Sequence, residues 1–591
     1  MVDEGYVISQ VQVMEGVLNS NNVTVHSDGT SRDHKKIVGH QLSLSNGETF
    51  YLGYVPVACE NANTLLDLSL SVLQQLYVTY SDFSFIDTHE LMKTVLSKIT
   101  SLMTDRAAAM KSYGRLFEEH VKSEIGGDVI VHFLHCSAHY LLGLVSACEK
   151  AVSAIECNFV REHGSLGRDK EKKFVHFADA KEIATFCLLR TACEVLGPNG
   201  DQKSGCRMDW VSFCEKSQIP SFKGNRFNCH FEAAAAIIFH VDKIKTFFTS
   251  GILNAPNLKL ESVSCDVQDN TLMSIACCLA LFFLKVTGPF WKLVNSSVKF
   301  TDFHHYFKML DGALSRWSAD PNELLNHDFI CIFDDQMCAK SVMFDAVHDF
   351  ASKCDSGFLT AICKSLCQEA LIVTRRQLVD FLDDGYFTNM SSHAQEQLRH
   401  CSLTNLIGES SFGDFDFDIS KRRNATLHNR SAVHRFKRIK TSKFLGRKSQ
   451  SQTSRLLKIA RKRAPLLRKE NKEMDEKMKN AKKEKFIENQ EQKIAKEIND
   501  VEKRSNLTEK VKKHGGPFSS HEELENFLKN NRKKSITFLT DNIKDEIRFQ
   551  KFVVGHKNLK LGSLEEMVNY LKAVLQEERP FKRHCYDFEE I

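Results

Sequence analysis

Two aspartates stand where a carboxylate could serve as a metal ligand. Asp28 follows the alternating, β-branched run Val-Thr-Val-His at 23–26 and precedes a glycine, so it arrives where an extended segment meets a turn signal. Asp105 ends the run Ser-Leu-Met-Thr at 101–104 and precedes Arg-Ala-Ala-Ala-Met, a good helix start. Taken singly, each suits a structural role as a turn former or a helix N-cap. At the same ends of adjacent parallel strands, about 4.8 Å apart, the pair could share two divalent cations spaced about 3.5–4 Å. One ion would activate a water or a 3′-hydroxyl and the other would stabilise the leaving oxygen, which is the chemistry of phosphodiester cleavage. Oxygen ligands suit Mg2+ or Mn2+.

The elements that must position these residues are read from periodicity. Residues 1–20 read as a short helix. After Val23–His26 come an alternating segment over Ile37–Leu44, an Asn-Gly turn at 46–47 and an extended run over Thr49–Val57. Connections this short imply an antiparallel meander. From Asn63 to Tyr80 the period is that of a helix, and a second helix covers Thr88–Ile99. Ser101–Asp105 then reads as a strand, Arg106–Glu124 as a helix and the apolar run 128–135 as a last strand. Strands separated by helices imply parallel pairing and a buried sheet centre. Three meandering strands followed by two that alternate with helices is the order of the RNase H-like fold, whose first and fourth strands are parallel neighbours.

Within that frame the motifs resemble a family. His-Ser-Asp-Gly-Thr-Ser at 26–31, Ser-Leu-Met-Thr-Asp at 101–105 and His-Phe-Leu-His-Cys-Ser-Ala-His at 132–139 are similar, in that order, to the catalytic domain of hAT-type DNA transposases and related transposase-derived proteins. The resemblance implies that Asp28 and Asp105 are two catalytic metal ligands and that Cys136 and His139 are the family's Cys-x-x-His pair. A structural role beneath the site is expected for that pair, because no second ligand pair at zinc-finger spacing stands nearby. The segment from Asn225 looks like the family's Arg-Trp-Asn-Ser block, with Arg226 and Phe227 as DNA contacts. Phe227 stands where the family has tryptophan, and a π-face is what stacking on a base uses; Trp210 is an alternative for the same task. The block from Gly408 to Val433 resembles the carboxy-terminal motif, in which a glutamate three residues before a phenylalanine supplies the third metal ligand. That correspondence falls on Glu409, before Phe412, while Asp414, Asp416 and Asp418 compete for the place. The family's arginine and serine beside the third acid are Ser410 and Gly413 here. Cys229, His230 and His240 read as ordinary helix contents. No zinc-finger DNA-binding domain precedes the first strand, although many relatives carry one.

The expected fold class is α/β: an RNase H-like core interrupted by a large all-α insertion, followed by a basic segment, a long charged helix and a small helical carboxy-terminal module. Residues 1–141 supply the first part of the core. Residues 142–405, rich in Phe, Leu, Ala and Cys at helical spacing, form the insertion, and 406–435 return the last helical part of the core. Residues 436–515 hold the basic linker and the long helix, read from Glu470 to Lys513. Its apolar positions Met474, Met478, Ile487, Ile494 and Ile498 are sparse, which favours a solvated helix over a strong coiled coil. Residues 516–591 form the module, with capping-box patterns at Ser519–Glu523 and at Ser563 and Glu566.

Charge is unevenly placed. Residues 421–470 carry 18 Lys and Arg against the single acid Glu470, a net +17, while the whole chain is +5, so the remainder is −12. Basic character is thus a property of one segment, including Lys437, Arg438, Lys440, Arg461, Lys462 and Arg463, which are the expected DNA contacts. The same block fits a nuclear-import address, and its removal is expected to leave the core folded. The 19 cysteines are scattered without paired knuckles and read as reduced thiols of a cytosolic or nuclear compartment. The longest apolar run, Ser274–Leu284, falls short of the roughly 20 residues that span a bilayer, so no membrane partner is expected.

Three readings follow. The first is a transposase-like, nuclear DNA-binding protein with two-metal strand cleavage and transfer as its ancestral activity. The second is a catalytically inactive, domesticated derivative that binds DNA or protein. The third is a scaffold whose long helix mediates self-association.

Overall fold

The computed structural model describes residues 2–576 apart from 33–34, 128, 178–181, 224–226, 254–256, 334–339 and 556–560. Helix α1 (Val2–Leu18) precedes strands β1 (Val23–Arg32), β2 (Lys35–Leu44) and β3 (Thr49–Val57). Helices α2 (Ala62–Ser84) and α3 (Thr88–Lys98) lead to β4 (Ile99–Thr104), and α4 (Ala108–Ile125) leads to β5 (His132–His135). These strands form one mixed sheet in the order β3-β2-β1-β4-β5. The β1–β2 and β2–β3 pairs are antiparallel, as their short links require, and the β1–β4 and β4–β5 pairs are parallel.

The alternation of side chains divides β1 between two faces. Val23 and Val25 join an apolar core with Leu68, Val72 and Leu73 of α2 and with Tyr113 and Phe117 of α4. Thr24, His26 and Asp28 point the other way. One sequence expectation is corrected here: Asp28 does not end its strand. β1 runs on to Arg32, with Asp28 opposite Gly39 of β2 and Gly29 opposite Val38. Only its parallel partner β4 stops at this level, because the chain leaves the sheet at Asp105 to enter α4.

Between β5 and residue 405 the described residues contain helices and no strand, beginning with α5 (His139–His163). Their apolar core is continuous with one face of the sheet, since Met103, Leu134 and Cys136 cluster with Tyr140, Leu144, Trp210 and Phe282. The run at 274–284 lies in a helix over Asn270–Val294 whose most apolar 18 residues are 78% buried in the protein. That helix and Ser356–Gln377 are the two described helices long and apolar enough to cross a membrane. Within the first, a π turn at Phe283–Thr287 places the buried Lys285, whose Nζ donates to the carbonyls of Leu324 at 2.8 Å and Asn326 at 2.6 Å.

The chain returns to the sheet through α6 (Leu406–Lys421) and α7 (Leu427–Arg438). β3 carries a bulge opposite His40 and Gln41, where Gly53 adopts φ +116°. A Cβ at Gly53 would fall inside contact distance of Ser431 Oγ, the hydroxyl that accepts the Tyr54 N–H at 2.9 Å. Gly53→Ala is therefore expected to destabilise the first compact unit by about 2–4 kcal/mol through strain and loss of the α7 contact. Thermal melting tests this, and an unchanged transition would refute the role given to Gly53.

The basic segment is not a detachable tail. Helix α8 (Gln450–Lys513) begins some twenty residues before the charged run, because Ala460 and Leu467 pack with Ala432 of α7 against Tyr6, Val7 and Ile8 of α1. Arg435 is fully buried over the Tyr6 ring at 4.7 Å, with Nη1 donating to the Leu52 carbonyl at 3.2 Å. Lys448 pairs with Glu15 at 2.7 Å, Arg463 with Asp82 at 2.6 Å and Arg468 with Asp3 at 2.5 Å. Deleting residues 421–470 would therefore open the core instead of sparing it.

Compactness divides the chain once, into Met1–Met474 and Asp475–Ile591. Residues 436–474 thus belong to the first unit. In the second, α9 (His521–Asn530), α10 (Ile536–Phe549) and α11 (Leu564–Gln576) close over Phe518, Leu524, Ile543, Ile547, Met567 and Leu571. The second capping box forms in full, with Ser563 N–H donating to Glu566 Oε2 at 2.8 Å and Glu566 N–H to Ser563 Oγ at 3.3 Å. In the first, Glu523 N–H donates to Ser520 Oγ at 3.2 Å while the Glu523 carboxylate accepts one residue earlier, from the Ser519 N–H at 2.7 Å. Along α8, Ile487, Ile494, Ile498 and Val501 are each more than half exposed, as a solvated helix requires.

Candidate active site

Strand register sets Asp28 and Asp105 side by side. β1 and β4 pair His26 with Met103, and each aspartate lies two residues further on. They therefore occupy the same level where β4 ends. Asp105 turns out of the sheet with Oδ1 accepting the Ala107 N–H at 2.8 Å, while its carbonyl accepts from His135 Nδ1–H at 3.2 Å. One carboxylate oxygen is thus engaged in the turn that leads into α4.

Helix α6 brings Glu409 to the same place. It crosses β1 so closely that a Cβ on Gly408 would lie 3.3 Å from Asp28 Oδ2, and Glu409 is the next residue. The electrostatics register the approach. Burial pushes the Asp28 carboxyl up to about 8, and the negative neighbours Glu409, Asp105 and, more weakly, Glu60 add to the shift against the opposing Gly29 N–H. Asp28 is only 7% exposed, so water does little to relieve that charge. Glu60 reaches the region from the loop before α2, with Oε2 paired to Lys36 at 3.0 Å and Oε1 over Gly29.

The three rival acids on α6 are engaged elsewhere. Asp414 pairs with Arg438 and takes a 3.3 Å contact from His434, Asp416 pairs with Arg32 at 2.5 Å, and Asp418 pairs with Arg422 at 2.5 Å and Arg430 at 2.9 Å. Glu409 forms no ion pair among the described residues. The three carboxyl groups come from three separate elements and face one region. Nevertheless, no three His, Cys, Asp or Glu side chains among the described residues converge closely enough to hold an ion as they stand. Like charges at short range repel one another, so a divalent cation would have to draw them together and displace the Asp28 proton.

Cys136 and His139 lie beneath these acids without forming a ligand set. Burial raises the Cys136 thiol to about 11, and its Sγ accepts the Asn405 N–H at 3.2 Å. Burial lowers His139, while Asp105 and Glu409 pull in the opposite direction, which places the ring between protein core and acids. Phe227 packs edge-on to His139 at 5.3 Å and lies 5.7 Å from Trp291, so an aromatic pair adjoins the site. Arg226 lies outside the described residues. Trp210 is fully buried with Nε1 donating to Ser217 Oγ at 2.8 Å, which removes it as a stacking surface. His230 and His240 are packed in the helical core beside Phe186 and Trp210.

Of the expected basic contacts, Lys437, Lys440, Arg461 and Lys462 are exposed. Arg438 and Arg463 are held by Asp414 and Asp82. Sequence reasoning missed Glu60, Trp291 and Asn405. Only Asn405 left a local signal, an asparagine immediately before a helix. No family model matches the chain, and no curated protein matches it in sequence.

Proposed function

We propose that the chain is a transposase-like DNA-binding protein whose RNase H-like core carries an ancestral two-metal DNA strand cleavage and transfer activity. The observation that carries this reading is the shared level of Asp28 and Asp105 on parallel neighbours, with the helix bearing Glu409 seated on the Asp28 side. The strand order β3-β2-β1-β4-β5 supports the same core, and the all-helical segment that separates the second acid from the third fits the insertion.

In this reading Asp28, Asp105 and Glu409 would hold Mg2+ or Mn2+. When bound, such ions supply Lewis acidity for a hydroxyl nucleophile and for the leaving oxygen. Asp28 would give up its proton as the site fills, and the Asx turn of Asp105 occupies one of its oxygens with the Ala107 N–H, so the other would be the one to meet the ion. Phe227 and Trp291 offer aromatic faces to an unstacked base beside the acids. Lys437, Lys440, Arg461 and Lys462, exposed and clustered in sequence, provide phosphate contacts and a nuclear-import address.

A second reading is favoured by the carboxyl groups that do not converge and by the protonated Asp28: a catalytically inactive derivative that binds DNA or protein in the nucleus. Incubating the purified chain with end-labelled duplex DNA and Mn2+ separates the two. Salt-sensitive binding with metal-dependent nicking supports the first, and binding without nicking supports the second. Neither binding nor nicking would remove the first and the DNA-binding form of the second.

A further inference from the structure

The strongest polar junction near the site is centred on Asn405, which is 2% exposed. Its Oδ1 accepts from His26 Nδ1–H at 3.0 Å, and its Nδ2 donates to the Ser27 carbonyl at 3.4 Å. Its backbone N–H donates to Cys136 Sγ at 3.2 Å, just past β5, and its carbonyl accepts the Gly408 N–H at 2.9 Å, which opens α6. His26 extends the junction to β2, its Nε2 accepting from Ser43 Oγ–H at 2.9 Å. A single side chain therefore grips the two residues that precede Asp28, while its own backbone starts the helix turn that ends in Glu409.

We propose that Asn405 is a positioning residue that holds Glu409 against Asp28 by clamping the start of α6 to β1. This rests on the proposed metal site, but the clamp itself has a metal-free consequence. Asn405 makes the only described side-chain hydrogen bonds between β1 and the first turn of α6. Without them that turn keeps only the backbone bond to Cys136 and the packing of Ile407 on the sheet's apolar core, neither of which fixes the side of the helix that faces Asp28, and the glutamate gains freedom to move away from the aspartate. Gly408 contributes by omission: a Cβ there would sit 3.3 Å from Asp28 Cβ and Oδ2 and 3.4 Å from Asn405 Nδ2, so the close approach of helix and strand is made where no side chain intervenes.

Asn405→Ser tests the clamp, since serine still serves at a helix start but cannot span to His26 and Ser27. The first readout is metal-free, at pH 9. Asp28→Asn and Glu409→Gln should each raise the melting temperature by relieving one repulsion, and together by less than their sum, a coupling of about 2–3 °C. In the Asn405→Ser background the two effects should become additive. The second readout is Mn2+ affinity by titration, expected to fall about 10–100-fold in Asn405→Ser. A role confined to packing would lower the melting temperature and leave the coupling intact, and that result overturns the proposal. Loss of coupling in a protein whose parent binds no Mn2+ would keep the clamp and sink the metal reading. Should Asn405→Ser fail to fold, His26→Gln breaks the same contact from the strand side while keeping a partner for Ser43, and the same cycle is read there.

Discussion

Asp28→Asn is expected to lower Mn2+-dependent DNA strand cleavage at least about 1000-fold under the proposed reading, with the first compact unit still folded. Asparagine preserves the shape of the buried side chain and can still accept the Gly29 N–H that the carboxyl meets. It removes only the negative charge that a divalent ion would neutralise. Asp105→Asn should behave alike, because its Oδ1 bond to Ala107 survives as an amide contact. Asp414→Asn is the informative control. That carboxylate is occupied by Arg438 and His434, so cleavage should stay within about threefold of the parent while melting temperature drops by a few degrees. Nicking of a labelled duplex, measured for all three variants, decides the matter. Cleavage by Asp28→Asn within tenfold of the parent would show that the activity does not pass through this site.

The second large effect is on stability, without metal. The Asp28 carboxyl binds its proton up to about pH 8 in the folded chain and only up to about 3.8 in the ordinary state. Between those values the folded protein holds a proton that the unfolded chain has released. Stability must therefore fall as pH rises across this window, by up to about 1.4 kcal/mol per pH unit from this group. Asp28→Asn lacks the titration. Its advantage over the parent is expected to grow by about 3 kcal/mol between pH 5.5 and pH 8.5. Urea unfolding of the metal-free proteins at the two pH values provides the check, and parallel pH profiles would remove the raised carboxyl from the account. The same proton predicts that Mn2+ binds more tightly as pH approaches 8 and that binding at pH 7 releases about one proton. Calorimetry in buffers of different ionisation enthalpy reads that number directly.

Much of this frame was legible in local pattern. Alternation over 37–44 and 49–57, with an Asn-Gly turn between, specifies a meander because side chains on a strand repeat every two residues. The change to a helical period after residue 63 called for parallel strands, and the sheet order follows. Asp105 was visible because it sits where β4 gives way to α4, Asp28 because a glycine follows it, although β1 runs on past it, and the helix starts of the second unit because serine and glutamate meet within a single turn.

Tertiary structure alone decided the rest. Nothing local says that β1 outruns Asp28, since the end of β4 is set by a chain departing some eighty residues later. Among Glu409, Asp414, Asp416 and Asp418 the sequence offers four similar acids. What separates them in the structure is that Arg32 of β1 and Arg430 and Arg438 from the two ends of α7 occupy the other three. The basic block read as a DNA-contacting segment separable from the core because charge counts do not record partners. Its Arg435 is fully buried and its Lys448, Arg463 and Arg468 answer acids near the amino terminus. Asn405 drew no reading from the sequence, although its side chain ties together segments almost four hundred residues apart. Periodicity and capping act within one turn or one strand, where the chain itself holds the partners close. Pairing of charge, depth of burial and the meeting of acids depend on which distant surfaces come together, and only the packed chain settles that.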